Sequence, residues 1–149
     1  MEKIITLRKA TVEDTEFARK VHHDAYRDVI VRQFGKWEDA PQDGYFEESW
    51  KPETHGIIQN DGESCGYCSI EERPDHIVVH ELVLSPDFQG QGIGSQVLKG
   101  IIEDAKLKGL PIKLQVLREN HAYNLYRKFG FKDTGSTDTH FLMRLDPSA

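Results

Sequence analysis

One stretch constrains this chain more than any other: HELVLSPDFQGQGIGS, from His80 to Ser95. An apolar run from Ile77 to Leu84 reads as a strand and stops at Ser85-Pro86. A short Gly-rich turn follows, and then a helical pattern begins. Glycines at 90, 92 and 94 remove Cβ atoms where the backbone must turn and where a ligand can approach closely. The amides of a turn entering a helix have no partner within it and carry the positive end of its dipole. Such a corner can hold a phosphate or pyrophosphate; the plain alternative is a tight turn and nothing more. A dinucleotide fingerprint Gly-x-Gly-x-x-Gly would need glycine at 95 or 97, where Ser95 and Val97 stand. A nucleoside-triphosphate loop would need a lysine after its last glycine, and none follows Gly94. What remains is Gln89-x-x-Gly92-x-Gly94 after a strand and before a helix.

At 149 residues the chain is expected to be one domain, 1–149, with room for a real core. A hydrophobic share of 38% with 30% charged residues suits a globular protein in water, and no window has the apolar length of a membrane span. The N-terminus lacks the apolar core of a secretory signal, so the expected location is cytoplasmic, with reduced thiols. Cys65-Gly-Tyr-Cys68 invites a redox or metal reading. It sits in a strand pattern, where a separation of three puts the side chains on opposite faces, and no second ligand pair exists. No metal is expected. A net charge of −6 argues against nucleic acid as a partner and mildly favours a cationic acceptor.

Ile4 to Arg8 alternates as a first strand. Thr11-Val-Glu-Asp14 resembles a capping box, and the helix after it carries Phe17, Ala18, Val21, Ala25 and Val29 on one face. His22 and His23 fall on or beside that face; with no carboxylate or histidine partner at ligand spacing they read as structural. Residues 34–50 are aromatic and acidic. Pro41 there can open a second short helix, with Phe46 and Trp50 as core and Glu38 and Gln42 as candidates for lining an acceptor pocket. Thr54 to Gln59, an Asn60-Asp61-Gly62-Glu63 hairpin turn and Ser64 to Glu71 form two antiparallel strands, and Arg73-Pro74-Asp75 turns into the strand ending at Leu84. After the Gly corner, Ile93, Val97, Leu98, Ile101, Ile102 and Ala105 mark a helical face that ends at Gly109 and Pro111. Ile112 to Leu117 is a strand, parallel to its predecessor because a helix connects them. Asn120 then caps a helix with Ala122, Leu125 and Phe129 on its apolar face, and Phe131–Ser136 and Asp138–Leu145 read as two last strands.

Taken together, Gln89-x-x-Gly92-x-Gly94 and Asn120-x-Ala122-x-x-Leu125-Tyr126-x-Lys128-x-Gly130-Phe131 resemble the GNAT superfamily of acetyl-CoA-dependent N-acetyltransferases. The opening Ile5-x-x-Arg8-x-Ala10-Thr11-x-x-Asp14 and the closing Thr137-Asp138-Thr139-His140-Phe141-x-Met143 are similar to it too, so the resemblance spans the chain. It implies an α+β, α/β/α-layered fold: a mixed, twisted sheet of about seven strands with antiparallel N-terminal strands, helices on both faces and a V-shaped splay between the fourth and fifth strands. It implies acetyl-CoA as co-substrate. Backbone groups of Leu82, Val83 and Leu84 are expected to pair with the pantetheine arm, and the amides of Gln89, Gly90, Gln91, Gly92, Ile93, Gly94 and Ser95 to hold the pyrophosphate. Asn120 would hydrogen-bond the pantetheine arm, beside its role as a helix cap.

The same resemblance assigns the chemistry. A backbone N–H of Val83 or Leu84 would polarise the thioester carbonyl, and Tyr126 would protonate the leaving thiolate, against the alternative of a core tyrosine. Glu81, in an otherwise apolar strand, is the candidate base, with bulk solvent as the alternative and His140 and Glu38 in reserve; His80 points to the opposite face by alternation. Trp37, Glu38, Gln42 and His140 are the candidate acceptor contacts. The expected function is acetyl transfer to a primary amine, on a small molecule or a protein, by direct attack in a ternary complex, with the protein a monomer or homodimer. The competing reading is an acetyl-CoA-binding sensor or partner module without turnover; a nucleotide-binding domain fails on loop spacing.

Overall fold

The computed structural model describes residues 3–147. In chain order it contains strand β1 (Ile5–Lys9), helices α1 (Thr15–Phe34) and α2 (Asp39–Ser49), strands β2 (His55–Asn60), β3 (Glu63–Glu72) and β4 (Ile77–Leu84), helix α3 (Ile93–Lys108), strand β5 (Ile112–Leu117), helix α4 (Ala122–Lys128), and strands β6 (Lys132–Ser136) and β7 (His140–Leu145). The seven strands hydrogen-bond in the order β1-β2-β3-β4-β5-β7-β6. β4 and β5 run parallel, as their helical crossover requires, while β1 with β2, β2 with β3, β5 with β7 and β6 with β7 are antiparallel. This is the mixed sheet expected from the sequence. The parallel ladder couples Ile77, Val78 and Val79 to Ile112, Lys113 and Leu114 and goes no further, although β4 continues to Leu84 and β5 to Leu117.

The chain divides into two compact units. The first holds the residues up to Ser69 together with Glu81–Gly94. Its core gathers Ala18 and Val21 of α1, Phe46 of α2, Trp50, Ile57 of β2, Tyr67 of β3 and Val83 of β4, with Phe17, Ala25 and Tyr26 packed against them. Burying a side chain the size of Phe46 or Ile57 contributes about 1.5–3 kcal/mol. Helix α1 outruns the stripe read to Val29 because Ile30 is buried as well; it ends at Gly35, whose φ is +91° and whose N–H donates to the Val31 carbonyl. Helix α2 begins at Asp39, two positions before Pro41. The reason is chemical: the first-turn amides of a helix have no internal partner, so a residue without an N–H is accepted there and need not be first.

The β2–β3 turn has Asp61 at φ +50° and Gly62 at φ +86°, the left-handed pair of a type I′ hairpin, as Asp-Gly predicts. The strands it joins shift register: Ile58 opposes Gly66 while Gln59 opposes Ser64, so Cys65 is the extra residue of a bulge. The alternation behind the opposite-face reading of Cys65 and Cys68 does not carry across that bulge. Both thiols are buried and free, and burial pushes both up, Cys68 to about 11.

The second unit holds Ile70–His80 and the residues from Ser95 onward. Val97, Leu98, Ile101, Ile102 and Ala105 of α3 are buried, the stripe expected, as are Ile112, Leu114 and Val116, the alternate residues of β5. Gly109, at φ +68°, ends α3, and the Leu110 N–H reaches back to the Ala105 carbonyl at 3.0 Å. The last two strands each begin slightly later than expected, and the turn between them is closed by Thr137 N–H donating to the His140 carbonyl.

Candidate active site

In the first unit the local shape of β4 depends on a glycine opposite it. A Cβ at Gly66 would lie 2.2 Å from the Val83 carbonyl oxygen and 3.1 Å from Leu84 Cα. Both are backbone atoms, so neither can step aside. Glycine is therefore what lets the Val83–Leu84 peptide sit against β3. Just beyond it, the Ser85 N–H donates to the Cys65 carbonyl at 2.8 Å. Gly66, an isolated glycine inside a strand pattern, is the sequence signal for this close approach, and the two cysteines beside it draw the eye away from it.

From Leu84 the chain enters a short 3₁₀ turn, Pro86–Phe88, and then the glycine corner. Gly90 (φ +74°) and Gly92 (φ +82°) are left-handed with open space around them, so it is their backbone conformation that calls for glycine. The side chains of this loop are occupied by the loop itself. Gln89 Nε2 donates to the Leu84 carbonyl at 2.9 Å and Gln91 Nε2 to the Asp87 carbonyl at 2.8 Å, while Lys3 Nζ holds Gln91 Oε1 at 2.7 Å. No acidic residue stands in the first turn of α3. Left-handed glycines feeding a helix N-terminus without an opposing carboxylate fit the pyrophosphate of a coenzyme A ligand. Among the residues expected to hold that ligand, Gln89 makes a side-chain contact to Leu84, one of the backbone positions expected to meet the pantetheine arm.

Glu81 is half-buried on β4. Beside it lies Tyr67, 1% exposed, whose hydroxyl has no hydrogen-bond partner among the described residues. Burial first, and then the Glu81 charge, hold the Tyr67 pKa well above its ordinary range. An orphaned buried hydroxyl costs about 1–3 kcal/mol and calls for an explanation. Around it the rings of Trp50, Phe46 and His55 close a wall: Trp50 lies 5.7 Å from Tyr67, 5.7 Å from Phe46 and 4.7 Å from His55. Trp50 Nε1 donates to Thr15 Oγ1 at 3.0 Å. His22 extends the wall, 5.6 Å from Phe46 and 4.9 Å from Tyr26. The carboxylate partner absent from the sequence reading of His22 and His23 arrives from α2: His23 Nε2 donates to Asp43 at 2.7 Å.

The acceptor candidates of this unit differ in setting. Trp37 Nε1 donates to Asp39 at 2.8 Å, with the Arg27 guanidinium 5.1 Å over its ring. Glu38 is exposed and ion-paired to Lys36 at 2.6 Å. Gln42 is buried. His80, in the second unit, points to solvent and meets Glu71 at 2.8 Å, consistent with its alternation.

In the second unit, Asn120 Oδ1 accepts the Ala122 N–H at 2.9 Å, which is the capping role, and leaves its NH₂ group as the donor for any further contact. Tyr126 is 6% exposed, packs on Phe131 with ring centroids 5.6 Å apart, and has its pKa pushed up to about 12 by burial. Ser95 lies on the first turn of α3. His140 is half-buried, with Nδ1 2.7 Å from Thr139 Oγ1 and a pKa lowered by burial. It lines a groove of about 680 Å³ together with Arg73, His80, Lys113, Gln115 and Arg144. Glu81, the Leu82–Leu84 backbone, residues 89–94, Trp37, Glu38 and Gln42 thus belong to the first unit, and Ser95, Asn120, Tyr126 and His140 to the second.

A model of the acetyltransferase (GNAT) family matches residues 19–131. The chain belongs to the GNAT family. Its relatives include an uncharacterised N-acetyltransferase of Methanocaldococcus jannaschii, 31% identical over 88% of this chain and 62% of that protein. A putative ribosomal-protein-bS18-alanine N-acetyltransferase of Bacillus subtilis is 30% identical over 57% of this chain and 58% of its own length. The GNAT chain described here thus spans about six-tenths of the length of these two curated relatives. Among solved structures, the PaiA N-acetyltransferase of Thermoplasma acidophilum in complex with coenzyme A shares the fold, with a TM-score of 0.79 at 20% identity over 96% of this chain and 99% of that one. Among the described residues of this GNAT chain, no group of three His, Cys, Asp or Glu side chains could hold a metal, and no helix is long and apolar enough to cross a membrane.

Proposed function

We propose that this GNAT chain moves the acetyl group of acetyl-CoA to a primary amine by direct attack of the amine. The observation that carries the reading is the placement of half-buried Glu81 on the strand that leads into the Gln89–Gly94 corner, beside a buried hydroxyl. Acetyl-CoA supplies the acyl group as a thioester whose carbonyl is open to attack. Residues 89–95 hold its pyrophosphate through backbone amides, Leu82, Val83 and Leu84 pair with the pantetheine arm, and the Asn120 NH₂ group donates to the same arm. Glu81 takes a proton from the arriving ammonium, so that a neutral amine attacks. The N–H of Val83 or Leu84 stabilises the developing oxyanion, a contribution of about 2.7–4 kcal/mol for such a donor. Tyr126 gives its proton to the thiolate and regains one, by way of solvent, as the acetylated nitrogen loses its second proton; a pKa raised to about 12 keeps the Tyr126 proton in place until it is needed.

The relatives' names cover a ribosomal-protein alanine and a small amine, thialysine. For this chain the acidic side chains at the start of α2, Glu38, Asp39 and Asp43, support a cationic acceptor. The test is thermal melting with acetyl-CoA, coenzyme A, NAD and ATP in separate samples, followed by thiol release across a panel of amines. Ligand at one hundred times its Kd stabilises by about 2.7 kcal/mol. A shift with the two coenzyme A species alone, and thiol release with at least one amine, is the expected result. No shift with either species overturns the reading; a shift without release from any amine favours a sensor without turnover.

A further inference from the structure

The helices α1 and α2 are joined by a chain of three polar side chains, of which only Asp43 entered the reading above, as part of the acidic stretch that favours a cationic acceptor. His22 Nδ1 and His23 Nδ1 face each other at 3.0 Å, and His23 Nε2 meets Asp43 Oδ1 at 2.7 Å. His22 is buried, while the His23 side chain is 14% exposed and Asp43 41% exposed.

This geometry limits where protons can sit. Two imidazole nitrogens at hydrogen-bond distance share one hydrogen: one ring donates and the other accepts. His23 Nε2 lies against a carboxylate, which accepts only, so that nitrogen must carry a hydrogen. When His23 is neutral its Nδ1 is therefore bare, His22 must donate from Nδ1, and His22 Nε2 is bare in turn. When His23 is protonated its Nδ1 also carries a hydrogen, His22 Nδ1 must accept, and the His22 hydrogen moves to Nε2. The inner ring stays neutral in both states, since burial and the neighbouring His23 depress its pKa to about 4.

We propose that Asp43 and His23 are positioning residues for acetyl transfer: they hold His22 with Nε2 as a bare acceptor in the aromatic wall of the first unit, and protonation of His23 turns that nitrogen into a donor. The inference rests on the acetyltransferase reading for its effect on turnover, but the tautomer exchange does not depend on it. The His22 ring packs on Tyr26 and Phe46, and Tyr26 packs against the cluster that contains Tyr67 and Val83. Asp43 of α2 and Tyr26 of α1 face the two rings directly; around the rings they pack on, Arg19 of α1 lies over Phe46 and pairs with Glu47 of α2, Arg27 of α1 lies over Trp37, and Tyr26 and Glu81 of β4 act on Tyr67 of β3. With His23 protonated, the outer ring is positive and the inner nitrogen carries a hydrogen, so the wall that His22 forms with Tyr26 and Phe46 loses an acceptor and gains a charge that disfavours an ammonium.

The decisive experiment is ¹⁵N NMR of the imidazoles in the full chain from pH 5 to 9, without any ligand. The expected result is that His22 stays neutral, with its hydrogen on Nδ1 where His23 is neutral and on Nε2 where His23 is protonated. Charge appearing on His22 in this range, or one unchanged tautomer throughout, overturns the proposal. The second arm compares Asp43→Asn, Asp43→Glu and His23→Gln with the unaltered chain. In Asp43→Asn, kcat for amine acetylation should fall about tenfold with the acetyl-CoA melting shift intact, and Asp43→Glu should restore it. The acid limb of kcat should follow the His22 tautomer exchange seen by NMR and be absent in His23→Gln. An unchanged kcat in Asp43→Asn, or an acid limb that persists in His23→Gln, sinks the assignment. Failure of the acetyltransferase reading is seen separately, as a missing acetyl-CoA shift in the unaltered chain.

Discussion

A single missing methyl group shapes β4. At Gly66 the obstacle to any side chain is the Val83 carbonyl, 2.2 Å from where a Cβ would stand. Gly66→Ala should therefore force β4 away from β3 and destabilise the fold by about 1–3 kcal/mol, the usual cost of overpacking, and it should abolish the acetyl-CoA melting shift. Gly100→Ala is the control: nothing lies within 4 Å of a Cβ there, so a helix-interior alanine should leave the melting temperature unchanged or raise it. Equal behaviour of the two variants would mean that the close approach has no consequence. Tyr126 offers a second reading at this scale. Tyr126→Phe keeps the ring that packs on Phe131 and removes the hydroxyl, so kcat should fall by about 10²–10⁴ with acetyl-CoA binding retained. Tyr126 is a candidate from sequence because its neighbours form a pattern along the chain. Gly66 and Tyr67 are not, since what matters about them is the β4 segment they face.

Elements that obey local rules were the ones read well. The β2–β3 turn follows from Asp-Gly, and the α3 stripe from its period. At the start of α1 the Asp14 carboxylate accepts the Thr11 N–H at 2.8 Å and is gripped by Arg8 Nη1 and Nη2, at 2.9 and 2.8 Å. The Arg8 hydrogen bond holds the Asp14 pKa down at about 2. Asp14→Ala removes cap and ion pair together and should cost about 1 kcal/mol, seen as a lower urea midpoint at pH 7 that Arg8→Ala partly reproduces. The sequence could not show what links distant elements. Asp43 stands twenty positions after His23 in the chain, with no period relating them, and only the packing of α2 on α1 makes them partners. The Cys65 bulge is equally hidden, because a register shift leaves no mark on one strand alone.

For the molecule as a whole, strand number, strand order about the parallel β4–β5 pair and family were legible, since the Gly corner and the Asn120–Phe131 segment bracket the crossover. The pH dependence of stability was not. His22 has a free value of 6.5 and a folded value of about 4, so the unfolded chain binds its proton first as pH falls. Its contribution is complete above about pH 6.5, declines by about 1.4 kcal/mol per pH unit through the window and levels off below about pH 4. Urea midpoints at pH 7 and 5 should differ accordingly in the unaltered chain and converge in His22→Gln; an equal slope in both would assign the effect elsewhere. Finally, the loop from Leu84 to Gly92 is already laced to itself and to Lys3 before any ligand arrives. On the reading proposed above, a partner with a pyrophosphate would meet donors that need no ordering, which lowers the entropic cost of association. On the proposed reading, the spent carrier is held by that loop as firmly as the loaded one. Its departure, rather than the bond-making step, then becomes the natural brake on turnover.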